Sequence, residues 1–63
     1  MSSDTATMMS LSTQLNECES RLSQLASSYD GTDRDDLIAA LHEAERQVRS
    51  AAREVRRAQR LLR

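Results

Sequence analysis

Ser28-Tyr29-Asp30-Gly31-Thr32-Asp33 lies at the midpoint of the chain and decides how the rest is arranged. Gly31 is the only glycine and there is no proline, so a reversal of direction is chemically marked at one place alone. The segments on either side read as two arms folding back from it. The spacing predicts helix 1 over about 4–29, a turn at 30–32 and helix 2 over about 33–62, within a single unit covering 1–63.

In the first arm Met8, Leu11, Leu15, Cys18, Leu22, Leu25 and Tyr29 are separated alternately by 3 and 4 residues. This is an unbroken heptad stripe, the signature of a helix that packs a narrow seam against another helix. Ser, Thr, Gln, Asn and Glu fill the positions between. Ser2, Ser3 and Asp4 offer N-caps. Serine recurs at 10, 12, 20, 23, 27 and 28 and is a mediocre helix former, so helicity here must come mostly from packing of the stripe.

The second arm opens on Thr32-Asp33-Arg34-Asp35-Asp36. Acids in a first turn face the positive end of the helix dipole, and Thr32 with Asp35, or Asp33 with Asp36, approximates a capping box. The far end is rich in arginine, which suits the negative end. The apolar stripe is Leu37, Leu41, Ala44, Val48, Ala51, Val55, Ala58 and Leu62, again in heptad spacing. With Leu41 written as a, the d positions are Leu37 and three alanines, so much of this seam is shallow. Ile38, Ala52 and Leu61 flank it and widen the apolar face, which predicts contact with more than one neighbouring helix.

In an antiparallel hairpin, opposed residues have numbers that add to a constant. Leu25 with Leu37, Leu22 with Leu41, Cys18 with Ala44, Leu15 with Val48, Leu11 with Ala51 and Met8 with Val55 all add to 62 or 63. Large residues meet small ones at Leu11/Ala51 and Cys18/Ala44, which fills layers at constant helix spacing. The expected fold is therefore all-α: an antiparallel two-helix hairpin with a heptad seam. Two such hairpins placed face to face would close the open layers into a four-helix bundle.

Composition narrows the function classes. At 63 residues the chain is below the size at which one core usually suffices, and the usual supplements are disulfides, a metal or a partner. Cys18 is alone and His42 is the only histidine, so an intrachain disulfide and a zinc-type ligand set are both out of reach, and a partner is the expectation. Tyr29 is the sole aromatic, expected to cover the turn end. The start, Met1 to Ser10, has no basic cluster or apolar run of a secretory signal, and nothing approaches the about 20 apolar residues of a membrane span. A cytoplasmic location is expected, with Cys18 reduced and buried in the seam. All nine basic residues are arginine, a hint of a GC-rich bacterial or phage genome.

Charge is unevenly distributed although the formal net is −1. Asp30, Asp33, Asp35, Asp36, Glu43 and Glu45 dominate 30–45, whereas Arg46, Arg49, Arg53, Arg56, Arg57, Arg60 and Arg63 dominate the remainder. These arginines fall at b, c and f, away from the seam. Such a face could neutralise phosphates or an acidic partner protein, or remain solvated and tuned to the helix dipole. His42 and Glu45 are three apart, but His42 falls at b, outside the seam, and reads as a surface histidine beside Glu45 and Arg46 rather than a metal ligand. The aspartates near Gly31 lack the twelve-residue frame and terminal Glu of a calcium loop. No phosphate loop, nucleophile constellation or paired-carboxylate pocket is present, and a hairpin this narrow offers no ordinary substrate cleft. No enzyme activity, cofactor or small-molecule substrate is expected.

The length, the turn with Asp30, and Leu41-His42-Glu43 followed by Val48 and a serine-alanine-arginine stretch resemble the Rop family of plasmid hairpins. That resemblance implies dimerisation into a four-helix bundle and binding of paired RNA loops through helix 1. Here helix 1 carries Arg21 as its only base and no Phe. Helical-hairpin co-chaperones of type III secretion have a similar layout. The expected function is a small non-enzymatic interaction module that self-associates or binds partner helices as an adaptor or co-chaperone does. Its interface is the seam Met8, Leu11, Leu15, Cys18, Leu22, Leu25, Leu37, Leu41, Ala44, Val48, Ala51, Val55 and Leu62. The alternative is a dimeric Rop-like regulator that binds nucleic acid through the arginine face.

Overall fold

The computed structural model describes residues 2–62 as two helices joined by a turn: α1 spans Ser2–Ser27 and α2 spans Asp35–Leu61. They lie side by side as an antiparallel hairpin, a rod of 50 × 14 × 9 Å. No strand occurs among the described residues. Ser27 and Asp35 are each four residues from Gly31, and the helices have 26 and 27 residues, so the arms are matched in length. Met1 and Arg63 lie outside the described residues.

The turn is longer than the expected 30–32. After Ser27 the backbone tightens into i to i+3 bonding, with the Tyr29, Asp30 and Thr32 amides donating to the carbonyls of Ala26, Ser27 and Tyr29, each at 3.1 Å. Gly31 has φ +82°, the left-handed conformation required at the third place of a type II turn. Tyr29 sits half-buried in this turn rather than in the helix.

The expected capping box does not form. The N-cap residue of α2 is Arg34, and it makes no side-chain capping bond. The hydroxyl of Thr32 is committed elsewhere: it donates to the Tyr29 carbonyl at 2.6 Å and accepts the Arg34 amide at 3.3 Å. Closing the turn thus uses the group that the box would need. The helix then starts on Asp35 and Asp36, whose charges face the positive end of the dipole, while Arg60 lies in the last turn.

The contact between the helices is rotated from the expected seam. With Met8 written as a in α1, the half-buried a positions are Met8, Leu15, Leu22, Leu41, Val48 and Val55. In α1 the expected d positions Leu11 and Leu25 are 44% and 48% exposed and Cys18 is exposed as well, whereas in α2 Leu37, Ala44 and Ala58 are half-buried and Ala51 alone is exposed. Leu62, at a, is 46% exposed. The place between the arms belongs instead to the e positions: Ala26 at 1% and Ala52 at 2% exposure are the buried apolar residues, and Glu45 is buried at 8%. Ser12, Glu19, Ile38 and Gln59, also at e, are half-buried.

Two helices without further neighbours bury a narrow line each. The e line carries Glu19, Ile38, Glu45 and Gln59 as well as alanines, so side-chain size alone does not select it over the alanines at d in α2. Ala26 and Ala52 are the two apolar side chains removed almost completely from water. Their two methyl groups contribute only about 1–2 kcal/mol of transfer free energy, against an ordering cost of about 1–2 kcal/mol for every residue fixed. The half-buried a residues supply most of the remaining stabilisation.

A methyl group at Gly31 would meet nothing within 4 Å, so replacing it tests the backbone alone. Gly31→Ala is expected to lower stability by about 1–2 kcal/mol, and Gly31→Asn by less. Thermal unfolding followed by circular dichroism checks both, and equal melting temperatures for all three proteins would remove the turn from the determinants of the fold.

Candidate functional site

The rotation of the helices sorts their outer positions onto two opposite faces. At about 100° per residue, d lies about 80° to one side of the line through a and e, and b about 80° to the other. Because α1 and α2 run antiparallel, these displacements coincide, and the d stripes of both helices open onto the same face. That face carries Leu11, Cys18 and Leu25 from α1 and Leu37, Ala44, Ala51 and Ala58 from α2. A shallow depression between Gln14, Cys18, Arg21, Leu22, Leu25 and Ser28 runs along its α1 edge, and more of its surface is apolar than polar.

The opposite face is polar and internally paired. A second concavity is bounded by Asn16, Ser20 and Ser23 of α1 and by Glu45 and Arg49 of α2, which places the b positions of both arms together. Arg49 Nε donates to Glu19 Oε2 at 2.7 Å across the hairpin. His42 Nδ1 donates to Glu45 Oε2 at 2.7 Å, which satisfies the buried carboxylate from an exposed ring. No buried side-chain nitrogen or oxygen among the described residues lacks a partner. The His42–Glu45 contact matches the expected surface pair, whereas the burial of Glu45 was not foreseen. Its e position, in line with Ile38 and Ala52 on the apolar flank, is the signal that could have found it.

The arginine face divides in two. Arg46 pairs with Glu43, Arg57 with Glu54 at 3.3 Å and Arg49 with Glu19, so three of these cations have acidic partners. Arg53, Arg56 and Arg60 are exposed and form no ion pair among the described residues. At the turn end, Arg34 Nε donates to Asp36 Oδ1 at 3.2 Å. That contact, helped by the Leu37 amide, holds the Asp36 carboxyl below its usual 3.8. A carboxylate depressed on folding stabilises the fold above its unfolded pKa, and the contribution is lost as pH falls through the folded value. Asp36 is fully exposed, so this tunes the turn end and does not secure the hairpin.

No helix among the described residues is long and apolar enough to cross a membrane, and no group of three or more His, Cys, Asp or Glu is placed to hold a metal ion. No family model, curated protein or solved structure matches the chain. The likeness to Rop hairpins accordingly rests on layout and a few residues of the second helix. Function must be read from the two faces themselves.

The buried carboxylate gives a direct check of the polar face. Replacing Glu45 by Leu removes a charge from the helix contact and is expected to leave stability unchanged or raise it. His42→Leu removes the partner and keeps the charge, with an expected loss of about 1 kcal/mol. Urea denaturation of the two variants measures the contrast, and a larger loss for Glu45→Leu would mean that the pair itself holds the arms together.

Proposed function

We propose that the protein is a small non-enzymatic interaction module whose apolar face docks against other helices. Those helices belong either to a second copy, which completes a four-helix bundle, or to a larger partner bound as an adaptor or co-chaperone binds. The observation that carries this reading is the exposure of Leu11, Cys18 and Leu25 in heptad spacing on one face, while on the reverse face Glu45 and Glu19 are held within the hairpin by His42 and Arg49. Exposed apolar surface gathered into a stripe, rather than scattered singly, marks an interaction site. The small core supports the same reading, since covering Leu11 and Leu25 would bury leucine side chains worth about 1.5–3 kcal/mol each when fully removed from water.

Docking on this face requires shape and apolarity, not chemistry. The a residues Leu15, Leu22, Leu41 and Val48 are half-buried by the hairpin, and an incoming helix would finish their burial. Alanines at 44, 51 and 58 permit close approach on the α2 side, and the leucines of α1 provide the knobs.

A second reading, a dimeric nucleic-acid-binding regulator, is favoured by one observation: Arg53, Arg56 and Arg60 are exposed and without acidic partners among the described residues. Guanidinium groups so placed suit phosphates, although the single tyrosine leaves no platform for base stacking. Retention on heparin or RNA at rising salt, compared with an Arg53/Arg56/Arg57→Ala variant, decides it. A steep salt dependence lost in the variant supports this reading, and unchanged retention removes it.

Light scattering with two single variants tests the leading proposal. Leu25→Glu places a charge on the apolar face and is expected to abolish self-association, whereas Ser23→Glu on the polar face leaves it intact. The reverse pattern would move the interface to the other face. A wild-type chain that stays monomeric would leave a larger helical partner as the occupant.

A further inference from the structure

We infer that the arginine stripe of α2 seats an acidic helix of a different protein, one that carries Asp or Glu at alternating spacings of three and four residues. This goes beyond the docking role of the apolar face, which lies on the other side of the hairpin. Arg46, Arg49, Arg53, Arg56 and Arg60 are separated by 3, 4, 3 and 4 residues, an unbroken heptad of one charge at the f and b positions. All five are exposed. From Arg46 to Arg60 the stripe runs nearly straight for about 21 Å, at about 1.5 Å rise per residue. Arg46 and Arg49 have acidic partners within the hairpin, Glu43 and Glu19, whereas Arg53, Arg56 and Arg60 form no ion pair among the described residues.

The stripe borders a groove that α1 leaves clear. At about 100° per residue, b and f are centred about 100° from the line through a and e, on the same side in both arms. Asn16, Ser20 and Ser23 of α1 bound a concavity there with Glu45 and Arg49 of α2. Thr13 and Met9, at f and b, continue that edge of α1 toward the free end, and Met9 is 58% exposed. Arg49 touches Glu19, so in antiparallel arms the residues before Glu19 run beside those after Arg49, and Met9 lies alongside the stretch from Arg53 to Arg60. No acid stands at b or f of α1, and Glu19 and Glu45 at e are already held by Arg49 and His42. One wall of the groove is therefore uncharged and the other cationic, so an incoming helix meets no competing carboxylate.

Repeat and shape select the occupant. A helix with acids in heptad order presents them at the same pitch as the arginines, so each carboxylate meets one guanidinium along the contact, as charges flanking a coiled-coil seam do. A nucleic acid duplex fits less well. Its phosphates follow strands that wind about the axis, and the B-form major groove, about 12 Å wide, admits one helix of about 10–12 Å diameter but not two side by side. The stripe lies on the broad side of the hairpin with α1 beside it, so α2 cannot enter such a groove alone. A second copy fits no better, because neither helix of this chain carries acids in that order: Glu17 and Glu19, like Glu43 and Glu45, are two apart, and Glu54 stands alone. The partner is therefore a protein of another sequence.

Titration of the full chain with two labelled helical peptides of about 20 residues tests the inference. One carries Glu in heptad order. The other has the same composition with its Glu spread around the helix. Fluorescence anisotropy at low salt is expected to show the heptad peptide binding about tenfold more tightly, the scale of three exposed ion pairs. Arg53/Arg56/Arg60→Gln is expected to lose that preference, whereas Arg21→Gln, off the stripe, and Leu25→Glu, on the apolar face, keep it. The Leu25→Glu result separates this surface from the apolar docking face, so either reading can fail without the other. Should circular dichroism show the triple variant unfolded, Arg56→Gln alone is read in its place, with an expected loss of about twofold. Equal affinity for the two peptides, no binding of either, or an unchanged preference in the arginine variant overturns the inference. Tighter binding of a labelled RNA duplex than of the heptad peptide overturns it in favour of phosphate.

Discussion

The burial of Ala26 and Ala52 is the constraint on which the rest of this structure depends. These e positions place the contact on a line through a and e. Once that line is chosen, helical geometry leaves no freedom for the other positions. The d stripes of both arms must turn to one side, and the b positions to the other. Glu19 and Glu45 are carried toward the contact, where Arg49 and His42 satisfy them from the rim. A buried carboxylate without such a partner would cost more than either buried alanine contributes.

From this rotation follows a molecule with two distinct sides. On one, the buried Glu45 and half-buried Glu19 are paired with His42 and Arg49. The other exposes Leu11, Cys18, Leu25 and Ala51. An exposed apolar stripe contributes little to the stability of a lone hairpin, and on this the proposed docking role rests. The rod is also polar along its length, with aspartates at the turn and arginines at the free ends. Each α2 terminus thus complements its own dipole.

Several features were legible before any coordinates. Gly31 announced the turn because the sequence offers no other residue free to adopt positive φ without strain. Both helices followed from unbroken heptads, and the His42–Glu45 contact from i, i+3 spacing. Other features were not legible. The box expected at Thr32 and Asp35 failed because the helix begins beyond Thr32, with Arg34 as its N-cap, and the Thr32 hydroxyl bonds within the preceding turn. Cys18, expected in the seam, is exposed because a heptad stripe defines an apolar arc and not which edge of that arc touches a particular neighbour. The flanking residues Ile38 and Ala52 widened the arc in the sequence, and in the structure that flank became the contact.

The sequence by itself determined the helical class, the single reversal, the matched length of the arms and the polarity of charge from turn to free end. These depend on local spacing and composition, which a linear chain states outright. Only the tertiary structure decided which apolar line closes the hairpin and which remains exposed. That choice concerns which edge of an apolar arc faces a particular neighbour, and it exists only when two helices are side by side. The candidate site is the remainder of that choice: the stripe through Leu11, Cys18 and Leu25 is exposed while Ala26 and Ala52 are buried.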